Sequence, residues 1–194
     1  MPTLDQACDL HRRGNLAEAE RLYRELMALA PHQPSARIML ATLKHQQGRL
    51  EEAWSLIEPA RMDDPFAWTK RGNILAAMQR DAEAEECYRR AHEMDPKFVE
   101  AVFNRAALLL GADRYAEALA DFDKGLVLYP VYAEGHNNRG WCLLNLGRAP
   151  EAMASFERAL AIKPDLAGAQ LNRGLTYLLQ GDFAAGLQIG RAHV

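Results

Sequence analysis

Cysteine is scarce in this 194-residue sequence: Cys8, Cys87 and Cys142 are the only three. They are too few and too widely spaced for a disulfide framework or a zinc site, and read as small apolar side chains between helices. Long apolar runs are missing as well. Nothing approaches the roughly 20 residues needed to cross a bilayer, so no membrane insertion is expected. Residues 1–6 lack the basic start and continuous apolar core of a secretion signal, which points to a reducing compartment, the cytoplasm. Val, Ile and Thr are sparse while Ala and Leu dominate, favouring helix over strand. A surplus of positive charge is absent too. The net charge of −3 supplies no general attraction to phosphate, so a nucleic-acid partner is disfavoured.

Catalytic constellations are equally lacking. The six histidines show no paired metal-ligand spacing and no HExxH helix. No glycine loop is built to cradle phosphate, and no serine or cysteine has an evident activating partner. The acidic pairs Glu51-Glu52 and Glu85-Glu86 fall where a solvated outer helix face accounts for them. The residues present therefore do not read as an enzyme, and no catalytic residue, metal or cofactor is expected.

What the sequence does contain is a repeat. Proline recurs at 31, 65, 96, 130 and 164, in steps of 34, 31, 34 and 34. Ala19, Ala53, Ala84, Ala118 and Ala152 follow the same steps, and so do the bulky residues Tyr23, Ile57, Tyr88, Phe122 and Phe156. A small residue marks the preceding segment at Ala7, Ala41, Gly72, Ala106, Gly140 and Gly174. Such self-similarity identifies a repeat architecture. Each unit reads as two amphipathic helices. In residues 99–130, Val102, Ala106, Leu109 and Leu110 recur at helical spacing, Gly111-Ala112-Asp113 breaks the pattern, and Ala118, Phe122, Gly125 and Leu126 resume it before Pro130. Neither helix buries its apolar stripe alone, so repeats must stack.

The run Trp68, Gly72, Leu75, Ala84, Tyr88, Ala91, Pro96, repeated at Gly140, Leu143, Gly147, Ala152, Phe156, Ala159 and Pro164, resembles the tetratricopeptide repeat (TPR) signature. That resemblance implies an all-α fold, an α-solenoid coiling as a right-handed superhelix of antiparallel helix-turn-helix units. One array over residues 1–187 is expected, with repeats near 1–33, 34–64, 65–98, 99–132 and 133–166 and a partial one at 167–187. The step of 31 makes Pro65-Phe66-Ala67-Trp68 a short link into the third repeat, with an altered angle expected there.

The sequence ends out of pattern. A bulky residue is expected four places after Gly186, but Gly190 stands there. The tail Ile189–Val194 matches one frame of a widely used sequencing adapter, so residues 188–194 are read as a non-native tail. Residues 172–186 resemble the last repeat of bacterial TPR proteins that lead into a glycosyltransferase-like domain. That makes the recruiting arm of such an enzyme an alternative to a stand-alone scaffold, with self-assembly a further one.

In TPR proteins the first helices line the concave face, where extended peptides bind. There Asn104, Asn138 and Asn172 recur every 34 residues. An asparagine offers an amide donor and a carbonyl acceptor, so a row of them suits a peptide backbone of any sequence. The row resembles the asparagine ladder of O-linked N-acetylglucosamine transferases, and Lys70 takes its place in the third repeat. Thr69, Asn73, Phe103, Asn137, Trp141 and Asn145 are further candidates, with Phe103 and Trp141 as apolar anchors. Glu100 and Glu134 place negative charge near one rim. Arg71, Arg105, Arg139 and Arg173 form a parallel row, read as structural, each packing its stem between helices and pairing with an acid, Arg105 with Asp121 for example. The expected partner is a protein or peptide.

Overall fold

Eleven α-helices and no strand form among residues 2–31 and 34–181, the residues that the computed structural model describes. They follow as hairpins: α1 (Leu4–Arg12) with α2 (Leu16–Leu29), α3 (Pro34–Gln46) with α4 (Leu50–Ile57), and α5 (Pro65–Ala77) with α6 (Asp81–Met94). The remainder are α7 (Val99–Gly111) with α8 (Tyr115–Leu128), α9 (Ala133–Asn145) with α10 (Ala149–Ile162), and α11 (Ala167–Leu179). The sixth repeat's second half and the anomalous tail at 188–194 lie outside the described residues.

The turn inside each hairpin has one form. A residue in the left-handed region precedes the second helix: Gly14, Gly48, Gln79, Asp113 and Gly147. Next comes the residue that opens the helix, Asn15 or an arginine, and none of these caps it through a side chain. The arginines instead grip the glutamate three places on, as in Arg80–Glu83, Arg114–Glu117 and Arg148–Glu151. Those carboxylates stand in the first turn, where the helix dipole also favours negative charge.

The shortened step is absorbed inside a helix. Pro65 to Trp68 are not a link: Asp64 caps α5 by accepting from the Ala67 N–H at 2.7 Å, and Pro65 occupies the first turn. Proline suits that position because its missing N–H has no helical partner to lose. The missing residues come out of α4, which has 8 residues where α2, α6, α8 and α10 have 14.

Close approach within hairpins follows from glycine facing an aromatic ring. A Cβ placed on Gly72 stands 2.6 Å from the Tyr88 ring, and one on Gly140 stands 2.5 Å from the Phe156 ring. The fourth repeat reverses the device. Its first helix carries Ala106, and Gly125 on the second helix makes room for Phe103.

The chain divides into two compact units between Phe98 and Val99. Within each, first helices of neighbouring repeats touch: α1 with α3 and α3 with α5 in one unit, α7 with α9 and α9 with α11 in the other. Second helices of neighbouring repeats make no such contact among the described residues. Contact on one side and separation on the other curve each unit, with its first helices on the inner side.

Candidate functional site

In the unit that begins at Val99, the inner face carries a directed chain of amides. Asn172 on α11 donates through Nδ2 to Asn137 Oδ1 on α9 at 3.0 Å. Asn137 in turn donates to Asn138 Oδ1 at 3.2 Å. The chain crosses from one repeat to the next and consumes one donor or acceptor at each step. It leaves the Asn138 amide nitrogen at one end, and the Asn172 carbonyl oxygen at the other, without a partner among the described residues. All three side chains are half-buried, and Asn104 has the same exposure at the equivalent place on α7. Trp141, one turn on along α9, is also half-buried. Asn145 is exposed and donates back to the Trp141 carbonyl at 2.9 Å, so part of its amide is spent within its own helix.

The other unit holds Thr69, Lys70 and Asn73 on α5. Lys70 places Nζ 4.7 Å from the centre of the Phe66 ring. Asn73 accepts from the Tyr88 hydroxyl at 2.9 Å, which ties it to its own hairpin.

Two candidates are buried. Thr69 is fully buried and its hydroxyl donates to the Pro65 carbonyl at 2.8 Å, an internal helix bond. Phe103 is only 8 % exposed. Its ring lies 4.6 Å from Tyr132 and 6.4 Å from Phe122, so it belongs to the core rather than to a groove. Glu134 is also engaged, accepting from Lys163 of the next repeat at 3.1 Å.

The arginine row divides by neighbour. Arg105 forks onto buried Asp121 with contacts of 2.6 and 2.7 Å. Arg139 joins three helices, bonding Asp123 on α8 and Ser155 on α10, each at 2.6 Å. Arg71 has aromatic neighbours, Trp54 and Trp68, at 5.3 and 5.9 Å. Arg173 buries Nε without a partner among the described residues. The first three are structural, as planar guanidinium groups at packed positions often are.

Sequence reasoning missed a buried cation. Lys44 on α3 is wholly buried, with Nζ 2.6 Å from Glu20 Oε1 on α2, as an ion pair rather than a well-aligned hydrogen bond. Bonding to Lys44 holds the Glu20 carboxyl below its usual range, against the opposing effect of burial. The signal was available: Lys44 stands where later repeats place Leu75, Leu109 and Leu143. The thiols of Cys87 and Cys142 are each pushed up to about 11 by burial, which suits packing and not nucleophilic chemistry. No group of His, Cys, Asp or Glu among the described residues is placed to hold a metal ion. No described helix is long and apolar enough to cross a membrane.

Stacked helical hairpins with a polar inner face define a helical-repeat scaffold. Family models of the tetratricopeptide repeat match residues 10–74, 65–98, 108–167 and 167–189. The chain belongs to the tetratricopeptide repeat family and is an all-α repeat solenoid. Repeats of this family are typically non-catalytic scaffolds that bind protein or peptide partners. Tetratricopeptide repeat protein 7B of Homo sapiens is 34% identical over 86 residues, which covers 43% of this chain and 10% of that protein. The chain thus spans about a tenth of the length of that relative. Among solved structures, YrrB, described as a TPR protein with an unusual peptide-binding site, is 21% identical with a TM-score of 0.68, over 86% of this chain and 87% of its own. The C-terminal part of a TPR repeat-containing protein from Cytophaga hutchinsonii is 16% identical with a TM-score of 0.79, over 98% and 80%. These likenesses show the fold.

Proposed function

We propose that this chain is a protein-interaction scaffold that holds an extended partner segment along the first helices of the unit beginning at Val99. The observation that carries the reading is the amide chain from Asn172 through Asn137 to Asn138. Its free donor at one end and free acceptor at the other complement the carbonyl and N–H of a peptide backbone. The internal bonds fix the amides before a ligand arrives, which lowers the entropy lost on binding. Trp141 supplies an apolar surface beside them. Recognition of this kind tolerates many partner sequences, because the backbone is common to all.

Peptides enriched from a random library on the intact chain would be measured against Asn104→Ala/Asn138→Ala/Asn172→Ala. At least about a tenfold loss of affinity, roughly 1.4 kcal/mol, is expected, with helicity unchanged by circular dichroism. N-methylation of the peptide backbone should weaken binding more than exchange of its side chains. Equal affinity for the wild-type chain and the triple variant would overturn the reading.

A further inference from the structure

The outer side of the unit beginning at Val99 carries a second feature, unrelated to the asparagines. Where α8 and α10 part, a cleft of about 340 Å³ opens over α9. Leu126 and Val127 line one wall and Ala154 the other. Arg139 forms part of the lining, already tied to Asp123 and Ser155. His136 fixes the adjoining turn through Nε2 to the Pro130 carbonyl at 2.9 Å.

Three departures from the repeat coincide here. The turns that close the third and fifth repeats are charged, Asp95-Pro96-Lys97 and Lys163-Pro164-Asp165, whereas the fourth reads Tyr129-Pro130-Val131. Val127 stands where the other two repeats have Glu93 and Ala161. It is 82 % exposed, and Leu128, Tyr129 and Val131 are exposed with it. Four exposed apolar residues within the five positions 127–131 exceed the scattered single exposed residues that need no explanation.

The third departure is electrostatic. The basic residues equivalent to Arg158 in the two preceding repeats are Arg90, bonded to Glu86 four places back, and Lys124, paired with Asp121 three places back. In the fifth repeat those acidic positions hold Ala154 and Ser155. Arg158 is exposed and has no ion pair or hydrogen bond among the described residues. The Asp123–Arg139 pair cancels its own charge, which leaves one uncompensated guanidinium beside an apolar wall.

We infer that this outer cleft docks a segment of a partner protein that carries a bulky apolar side chain next to a carboxylate. The apolar side chain lies against Leu126, Val127 and Ala154, and the carboxylate pairs with Arg158. A single free cation beside Asp123 suits one carboxylate and fits poorly with a polyanion such as nucleic acid or an anionic membrane. The surface is distinct from the first-helix face, so one chain can hold two partners.

The probe is a random peptide library displayed on phage, selected on the intact chain and counter-selected on Val127→Glu/Arg158→Glu. Both residues are exposed, and an unchanged melting curve would confirm that the variant folds. Enriched peptides should pair Asp or Glu with Leu, Phe or Trp. They should lose at least about tenfold in affinity for either single variant, and bind the triple asparagine variant unchanged. For Arg158→Glu, replacing the peptide's acid by Lys should restore binding. Three results would overturn the inference: no enrichment over the counter-selected chain, enriched peptides without an acidic residue, or self-association in sedimentation equilibrium that Val127→Glu abolishes. The last would make the occupant a second copy. Loss of affinity in the asparagine variant alone would leave the first-helix reading standing and this one refuted.

Discussion

The ring of Phe103 fills the space that a side chain on Gly125 would need: a Cβ built on Gly125 stands 2.5 Å from Cε1 of Phe103. The two residues sit on opposite helices of one hairpin, and each makes sense only with the other. Gly125→Ala gains about 1 kcal/mol of helix propensity, but the overlap costs about 1–3 kcal/mol. Net destabilisation by up to about 2 kcal/mol is expected. Phe103→Leu in the same chain should recover part of it, with a coupling of about 1 kcal/mol in a double-mutant cycle by urea denaturation. Strictly additive effects would mean the two residues do not share the space.

Gln79 turns between α5 and α6 at φ 60°, where equivalent turns at Gly14, Gly48 and Gly147 use glycine at φ 79°, 73° and 74°. A side chain in the left-handed region costs about 1–2 kcal/mol, and the exposed Gln79 side chain makes no hydrogen bond among the described residues that offsets it. Gln79→Gly should therefore raise stability by up to about 1 kcal/mol, after the larger unfolded-state freedom of glycine is subtracted. A lower melting temperature for the variant would contradict this.

Lys44 is buried at a position that the first, third, fourth and fifth repeats fill with leucine, and Glu20 is its counter-ion. Glu20→Gln strands the ammonium and should destabilise by about 2–4 kcal/mol, whereas Lys44→Leu should be neutral or stabilising, since an apolar side chain avoids the desolvation that an ion pair suffers. The Glu20 carboxyl is depressed in the folded chain. Its contribution is therefore complete above its ordinary value near pH 4.5 and is lost as pH falls through the lower, folded value. Chemical denaturation between about pH 3 and 6 should show this acid-side loss in the wild type and a smaller one in both variants.

Burial raises the Cys87 and Cys142 thiols to about 11 from 9.0. Alkylation by iodoacetamide at about pH 8 should accordingly modify Cys8, which is only half-buried, ahead of the other two. Mass spectrometry with and without denaturant would read this, and equal native-state rates for all three would contradict it. The sign for stability is opposite to that of Glu20: this contribution is present below about pH 9 and is lost as pH rises towards 11.

The period was legible because one helical hairpin recurs and its small and bulky positions are set by local packing. Proline at 65 and alanine at 84 announce the third repeat wherever they stand in the chain. Arg105 with Asp121 was legible for the same reason, since a spacing of 16 residues joins the two helices of a single hairpin. Less visible was which helix would give way to the 31-residue step. Both a short link and a short α4 satisfy the spacing, and the Asp64 cap together with Pro65 in the first turn of α5 decides for the latter.

The site was legible only as a row of residue types. Sequence placed Asn104, Asn138 and Asn172 on one helix face, but the amide chain runs from Asn172 to Asn137, 35 positions away, across two repeats. Phe103 read as an anchor because aromatic residues often serve as anchors at interfaces, and the room it takes up beside Phe122 and Tyr132 is opened by a glycine, Gly125, which leaves no hydrophobic mark in the sequence. Arg158 likewise looks like any other second-helix cation until its neighbours Ala154 and Ser155 are set against Glu86 and Asp121 of the earlier repeats.

By itself, the sequence determined the hairpin, its period, its all-α class and the side of each helix that packs, because these depend on residues within about a helical turn or one hairpin of each other. Tertiary structure alone decided which polar groups still have bonds to give. That depends on distances of about 3 Å between side chains of different repeats, and one turn of register or one missing Cβ is enough to redirect them.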